Sequence, residues 1–208
     1  MTSTEINFDV FHPKPLLIVI SGPSGVGKDS VLKEMKQRSK AYAFIITATS
    51  RAPRPNEVHG VDYFFVNKAE FERMIAADEL IEYNLVYSDY KGIPKSQVRA
   101  ALATGQDTVI RVDVQGAARL KALFPEAVFI FLVPDNAAVW YHRLKNRKTE
   151  TAEEFALRIK TAKAEMEHLD WFDYVVINTE DHLESTVDAI QAIITAEHHR
   201  TQHRMVTL

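Results

Sequence analysis

The chain has 208 residues, a length that suits one domain, and 46% of them are hydrophobic, which is enough for a substantial core. The net charge is only −3, so no broad basic surface indicates nucleic-acid binding, and any anion site has to be built locally. There is no cysteine, which excludes disulfides and thiolate metal sites.

Strand-like and helix-like segments alternate along the chain. The apolar run LLIVIS at 16–21 is typical of a buried parallel strand, and a helix is predicted to begin near Lys28 and to continue through SVLKEMKQ. Further strands are predicted at 43–47, 107–112, 127–133 and 174–178, and helices at 95–103, 115–123, 136–145, 152–169 and 183–199. The alternation predicts an α/β fold with a mostly parallel sheet and right-handed crossovers.

The segment 58–90 departs from this alternation. Two strand-like stretches, VDYFFV and LIEYNLVY, flank a short predicted helix, KAEFERMIAADE, whose start carries Asn67 and Glu70 at the spacing of a helix cap. This predicts a small inserted lobe with strand character. The polar tail from 197 onward is expected to fray.

Apolar runs are far shorter than the roughly 20 residues that span a bilayer. The first fifteen residues lack the apolar core of a secretion signal. We therefore expect a cytoplasmic protein that binds neither membrane nor nucleic acid.

The stretch GPSGVGKDS, at 22–30, lies between the first strand and the first helix. Gly22, Gly27 and Lys28 match the phosphate loop G-x-x-x-x-G-K-[S/T], in which backbone N–H groups and the helix N-terminus converge on a phosphate. Asp29 stands where the hydroxyl that reaches Mg²⁺ is expected. A chance glycine-rich turn is the alternative, and the strand before and helix after the loop disfavour it.

Three other segments carry candidate ligand-binding groups, and each has a plain structural alternative. Arg51 and Arg54 lie three apart in a Pro-rich stretch, where they form either a bidentate anion clamp or a solvated surface pair. Glu82 lies within an apolar strand-like run, as either an acceptor for ring N–H donors or a surface carboxylate. The basic run at 142–160 is either a mobile lid over a polyphosphate or a solvated helix face.

Taken in order, these segments resemble guanylate kinase over nearly the whole chain. The resemblance rests on GPSGVGK, TSRAPRPNEVHGVDYFFV, FERMIAADELIEYN, VDVQGA, RLKNRKTET and VVIN, and the pattern R-x-P-R-x-x-E-x-x-G-x-x-Y within them is highly specific. The GKD and YKGIP variants are similar to the plant-organellar and related bacterial branch of that family.

The resemblance implies a single domain over 1–208 with a P-loop NTPase-type parallel sheet flanked by helices. The core would comprise about 14–46 and 98–200, a small mixed GMP-binding lobe about 47–97, and an arginine-rich lid about 143–158. The implied reaction is ATP + GMP ⇌ ADP + GDP with Mg²⁺ as cofactor, and dGMP is expected as a second acceptor.

The resemblance also implies the site residues. Those implied for ATP are Gly22, Pro23, Ser24, Gly25, Val26, Gly27, Lys28, Asp29, Ser30, Arg147 and Asn178. Those implied for GMP are Thr47, Arg51, Arg54, Tyr63, Glu82, Lys91 and Asp113. Those implied for catalysis, which position the phosphates and neutralise the transferred phosphoryl group, are Lys28, Arg51, Arg143, Arg147 and Arg158.

Within this set, Glu82 would select guanine. A carboxylate accepts from guanine N1–H and the 2-amino group, and adenine offers neither donor at those positions. The hydroxyl of Thr47 would also face the base. Arg51, Arg54 and Tyr63 would hold the GMP phosphate.

The chain departs from many members of the family at four positions. Lys91 replaces a phosphate-binding tyrosine, and Ile93 replaces a hydroxyl that usually donates to guanine O6. Asp29 and Arg111 both change the metal end of the site. We predict that these two are neighbours and that Asp29 serves Mg²⁺, directly or through water; the alternative is that Asp29 only caps the helix start.

Two other functions stay open at this point. A small-metabolite kinase on the same scaffold would have no use for the base-recognising groups Thr47 and Glu82. A non-catalytic binding module of the same family would typically have lost its phosphate-loop or lid residues, whereas this chain keeps Lys28 and the lid arginines.

Overall fold

The computed structural model describes residues 11–86, 88–145 and 152–206. Its strands are β1 (Leu17–Ser21), β2 (Tyr42–Phe44), β3 (Ala48–Thr49), β4 (Phe64–Phe65), β5 (Leu80–Val86), β6 (Asp89–Pro94), β7 (Asp107–Arg111), β8 (Val128–Pro134) and β9 (Tyr174–Asn178). Its helices are α1 (Lys28–Arg38), α2 (Lys68–Ala76), α3 (Lys95–Ala103), α4 (Val114–Leu123), α5 (Ala137–Lys145), α6 (Ala152–Met166) and α7 (Leu183–His198). None of these helices is both long and apolar enough to cross a membrane.

The larger sheet has the strand order β2-β7-β1-β8-β9, and all of its pairings are parallel. Strand β1 is central and completely buried, as its continuous apolar sequence predicts. Its side chains alternate between the two faces: Ile18 and Ile20 pack with α1 and α7, whereas Leu17 and Val19 pack with α3 and α4. The α/β fold and the parallel core are therefore confirmed.

The predicted strand at 43–47 is wrong in extent, because β2 ends at Phe44. The amide of Ile45 still donates to the carbonyl of Val109, at 3.0 Å, and the chain then leaves for the second sheet. The apolar run continues through this change of partner, so hydrophobicity alone does not mark where the strand ends.

The smaller sheet has the order β4-β3-β6-β5, with β3 and β4 parallel and the other pairs antiparallel. Helix α2 packs on it and begins at the predicted cap, where the Asn67 side chain accepts from the amide of Glu70 at 2.8 Å. The stretch predicted as a strand at 61–66 is reduced to the two residues of β4, and β6 was not predicted at all.

The C-terminal tail is held to the core, so the expectation that it frays is wrong for the part that the structure describes. Glu197 is buried and accepts from the Tyr174 hydroxyl at 2.6 Å and from Arg204 Nε at 2.8 Å. Arg204 also donates to the carbonyl of Ala127 at 3.0 Å. A buried carboxylate needs hydrogen-bond partners, and Arg204 of the tail supplies one to Glu197.

Candidate active site

The phosphate loop joins the end of β1 to the start of α1, as predicted. Gly27 precedes the helix with a φ of +100°, a left-handed conformation that L side chains rarely adopt. A side chain there would also collide with the Asn178 amide, which donates to the carbonyl of Val26 at 2.6 Å. The loop therefore needs a glycine both for its turn and for its close contact with β9.

Lys28 folds back over this loop. Its ammonium donates to the carbonyl of Gly22 at 2.5 Å and to that of Pro23 at 3.1 Å. Burial lowers the pKa of Lys28, and the nearby Glu165 carboxylate works against that shift. Phosphate charge beside the ammonium would favour its protonated form in the same way.

Arg111 and Asp29 are neighbours, as the sequence predicts. In the sheet, Arg111 pairs with Ile20 of β1, which places it level with the start of the phosphate loop. Arg111 Nη1 donates to Asp29 Oδ1, Nη2 donates to the carbonyl of Asp62 at 3.2 Å, and the guanidinium lies over the Tyr63 ring at 4.3 Å. The Arg111 side chain is 11% exposed and that of Asp29 is 58% exposed, so the ion pair is open to solvent on its acidic side.

The two predicted clamp arginines are organised by Glu57. This carboxylate accepts two bonds of 2.6 Å from the Arg51 guanidinium and a third, at 2.7 Å, from the backbone amide of Arg54. The Arg51 guanidinium also lies 5.0 Å from the centre of the Tyr63 ring. We assigned Glu57 no role from the sequence, although it is the glutamate of the R-x-P-R-x-x-E pattern.

Glu82, on β5, is buried and lines the cleft, and so does Thr47, which precedes β3. Burial raises the pKa of Glu82 to about 7, the Asp113 carboxylate adds to the rise, and Arg119 and Lys91 oppose it. Arg119 Nη1 lies 3.4 Å from Glu82 Oε2. The pocket thus holds an ionisable hydrogen-bond acceptor whose pKa lies near neutral pH.

Lys91 and Asp113 lie between the phosphate loop and Glu82. Asp113 caps α4, where its Oδ1 accepts from the amide of Gly116 at 2.8 Å. Burial lowers the pKa of Lys91, and Asp113 opposes that shift. Ile93 is fully buried among the apolar side chains packed against α3, so it presents nothing to the cleft.

The described lid arginines contact the phosphate loop. Arg158 Nη1, from α6, donates to Ser24 Oγ at 2.7 Å, and Arg143 Nη1, from α5, lies 3.5 Å from the carbonyl of Val26. Trp140 anchors α5 to the loop by donating to the carbonyl of Ser24 at 2.9 Å. Arg147, predicted for ATP binding and catalysis, lies outside the described residues.

These groups surround one cleft of about 790 Å³. The predicted residues that line it are Gly22, Ser24, Gly25, Gly27, Lys28, Asp29, Ser30, Thr47, Arg51, Arg54, Tyr63, Glu82, Lys91, Asp113, Arg143, Arg158 and Asn178. Pro23 and Val26 do not line it; Val26 is buried behind the loop, where its carbonyl accepts from Asn178.

The cleft is also lined by residues that were not predicted from the sequence. Helix α6 presents Thr161 and Glu165 beside Arg158, at the spacing of one helix face, and burial raises the pKa of Glu165 while Lys28 lowers it. At the other end, Asn84 Nδ2 donates to Gln115 Oε1 at 2.5 Å. The helical spacing from Arg158 is the signal that could have found Thr161 and Glu165.

Comparisons with known proteins identify similar chains. The family model described as guanylate kinase matches residues 14–197. The chain is 49% identical over 197 residues to "Guanylate kinase 2, chloroplastic/mitochondrial" of Oryza sativa subsp. japonica, covering 94% of this chain and 69% of the relative. It is 40% identical over 184 residues to the guanylate kinase of Carboxydothermus hydrogenoformans, covering 88% of this chain and 89% of the relative. The crystal structure of guanylate kinase from Anaplasma phagocytophilum superposes with a TM-score of 0.75 at 28% identity, covering 91% of this chain and 89% of that one.

Proposed function

The chain belongs to the guanylate kinase family and phosphorylates GMP to GDP with ATP, and we propose that ATP binds at the phosphate loop and GMP at the lobe about 47–97. One observation carries this arrangement. Lys28, the clamp arginines and the buried Glu82 open onto one cleft, with Lys91 between them. A nucleoside triphosphate and guanosine monophosphate that react with each other need these groups in one shared cavity.

On the ATP side, the loop amides and Lys28 bind the β- and γ-phosphates. Arg143 of α5 and Arg158 of α6 support this role, because both contact the loop. Asn178 ends β9 and donates to the carbonyl of Val26 in the loop, which supports the proposal that it contributes to ATP binding.

On the GMP side, Arg51, Arg54, Tyr63 and Lys91 bind the phosphate. The base enters the pocket of Thr47 and Glu82, where the carboxylate accepts from N1–H and the 2-amino group. None of these proposed contacts involves the ribose 2′-hydroxyl, so dGMP is proposed as a second acceptor.

The reaction needs no protein nucleophile. An oxygen of the GMP phosphate attacks the γ-phosphorus of ATP, the bond from that phosphorus to the β,γ-bridging oxygen breaks, and ADP leaves. Lys28, Arg51, Arg143 and Arg158, with Arg147 of the family pattern, align the two phosphates and balance their charge. The closing lid, about 143–158, keeps water from accepting the phosphoryl group.

The Asp29 carboxylate fits a Mg²⁺ site. It is 58% exposed, lines the cleft and follows Lys28 directly, so it can meet a metal ion held by nucleotide phosphates. Within the described ranges, no group of three or more His, Cys, Asp or Glu side chains is placed to hold a metal. Mg²⁺ commonly takes one or two carboxylates beside phosphates and water, so the Asp29 carboxylate is a suitable ligand. When bound, it neutralises phosphate charge.

An ADP-release assay tests the function with ATP, Mg²⁺ and a panel of GMP, dGMP, IMP, AMP, CMP and UMP. GMP should be the fastest acceptor, and Lys28→Met should lower kcat by roughly 100-fold or more, because a preorganised charge at the phosphates is lost. Lys33→Met, an exposed position on the same helix, should match the wild type. AMP or UMP reacting as fast as GMP would refute the proposal.

The location and the other partners remain predictions. We propose a cytoplasmic location and no binding to nucleic acid or membrane; the rice relative carries an organellar name. Fractionation of cells that produce the tagged protein tests the location.

A further inference from the structure

We propose that Arg119 of α4 is a positioning residue for guanine recognition, which acts by pairing with the Glu82 carboxylate from outside the cleft. The inference rests on the proposed function, because it assigns a task to the residue behind the proposed base acceptor. Nothing in the family pattern quoted above includes this position.

The contact geometry places Arg119 behind Glu82. Arg119 Nη1 lies 3.4 Å from Glu82 Oε2, and Nη2 lies 3.5 Å from Asn84 Oδ1 on the same strand. The Glu82 side chain is 5% exposed and that of Arg119 is 48% exposed. Arg119 is not among the residues that line the cleft, so any effect it has on the base passes through its partners.

The backbone of α4 makes this approach possible. Gly116 lies opposite Glu82, and a side-chain carbon there would come within 3.1 Å of Glu82 Oε1. The glycine lets helix and strand approach, and Arg119, one turn further along the helix, then reaches the carboxylate. Gln115, also on α4, accepts a hydrogen bond from Asn84 Nδ2 through its Oε1 at 2.5 Å. Helix α4 therefore contacts both Glu82 and Asn84 of β5.

The charges around Glu82 make the pairing consequential. Asp113 at the start of α4 destabilises the carboxylate, whereas Arg119 and Lys91 stabilise it, and burial leaves its pKa at about 7. Lys91 lines the cleft and is proposed to bind the GMP phosphate, so its charge is shared with the substrate. Three charged groups act on Glu82: Asp113, Lys91 and Arg119. Of the two cations among them, Arg119 is the one whose charge is not shared with the substrate.

The direction of the effect follows from hydrogen-bond chemistry. An ionised carboxylate can accept from guanine N1–H and the 2-amino group at the same time, whereas a protonated carboxyl turns a donor toward one of them. Removing the Arg119 charge raises the pKa of Glu82, so the acceptor form becomes scarce at neutral pH. GMP binding should then weaken near pH 7 and recover as the pH rises.

The test is calorimetric titration of GMP into wild type, Arg119→Gln and Arg119→Lys between pH 6.5 and 8.5. Arg119→Gln should bind GMP about fivefold more weakly than wild type at pH 7 and within about twofold at pH 8.5, if the pKa of Glu82 rises by about one. Arg119→Lys should recover most of the loss. Arg99→Gln, which removes a charge from the exposed face of α3, should follow the wild-type curve.

Several outcomes are decisive. A loss in Arg119→Gln that is equal at every pH, or no loss at all, would overturn the proposal. Binding of an ATP analogue should be unchanged in each variant and reports correct folding; Arg119→Met, which keeps the apolar stem, replaces the glutamine variant if that one is unstable. If wild type itself fails to bind GMP, the proposed function fails instead.

Discussion

Arg111 joins the phosphate loop to the lobe, because one guanidinium donates to the Asp29 carboxylate and to the carbonyl of Asp62 while lying over the Tyr63 ring. Asp29 belongs to the proposed ATP side and Tyr63 to the proposed GMP side. Asp29 therefore does more than replace the hydroxyl of the phosphate-loop pattern, because its partner Arg111 also contacts the lobe. Arg111 connects the two substrate sites through a single side chain.

The first prediction is that Asp29 and Arg111 are coupled in Mg²⁺-dependent ATP binding. In a double-mutant cycle with Asp29→Ser and Arg111→Asp, the pair should show a coupling energy of about 1–2 kcal/mol. We expect less than the 3–5 kcal/mol of a fully buried pair, because Asp29 is 58% exposed and water screens the loss. Calorimetry with ATP, with and without Mg²⁺, measures it. Strictly additive effects would leave Asp29 with a helix-capping role only.

The second prediction concerns base selection by Glu82. Glu82→Gln should lower kcat/KM for GMP by roughly 100-fold, or ~3 kcal/mol, because a charged acceptor is replaced by an amide that faces guanine with its own donor. Binding of ATP should change little, since the proposed contact of Glu82 is with the guanine base. Initial rates with varied GMP, and calorimetry with an ATP analogue, separate the two effects. Equal losses for both nucleotides would indicate a general structural fault.

The third prediction is that Glu57 sets the GMP phosphate clamp. Glu57→Gln removes the paired bonds to Arg51 and weakens the bond to the Arg54 amide, so KM for GMP should rise by about 5- to 30-fold, the equivalent of ~1–2 kcal/mol. Glu79→Gln is a matched control, because Glu79 also pairs with an arginine of the lobe, but that partner, Arg73, does not line the cleft as Arg51 does. A normal KM for GMP in the Glu57 variant would contradict this role.

Much of the core could be predicted because its signals are local. Continuous apolar runs locate β1, β7, β8 and β9, and the phosphate loop follows from its spacing between a strand and a helix. The pairing of Arg111 with Asp29, 82 positions apart, was also predictable, since neighbouring parallel strands bring their carboxyl ends together.

What could not be predicted depends on partners distant in sequence. Strand β6 has a lysine and a glycine at its centre, and it becomes a strand through its pairing with β3 and β5. Glu57 shows its function only once the loop brings its carboxylate to Arg51. Arg119 belongs to an ordinary helix face in the sequence, and only the approach of α4 to β5 places it behind Glu82.

The last prediction concerns Ile93: since it replaces a hydroxyl that usually donates to guanine O6 in the family, restoring that hydroxyl would be expected to improve GMP binding. The structure argues against that expectation, because Ile93 is fully buried and packs with apolar side chains such as Val98. Ile93→Ser would leave a cavity and bury a hydroxyl, so it should destabilise the protein by about 2–5 kcal/mol and bring no gain in GMP affinity. Ile93→Val, which keeps the apolar surface, should cost only about 0.5–1.5 kcal/mol. Urea unfolding and GMP titration of both variants decide the matter: a serine variant of normal stability that binds GMP more tightly would mean that this position faces the base after all.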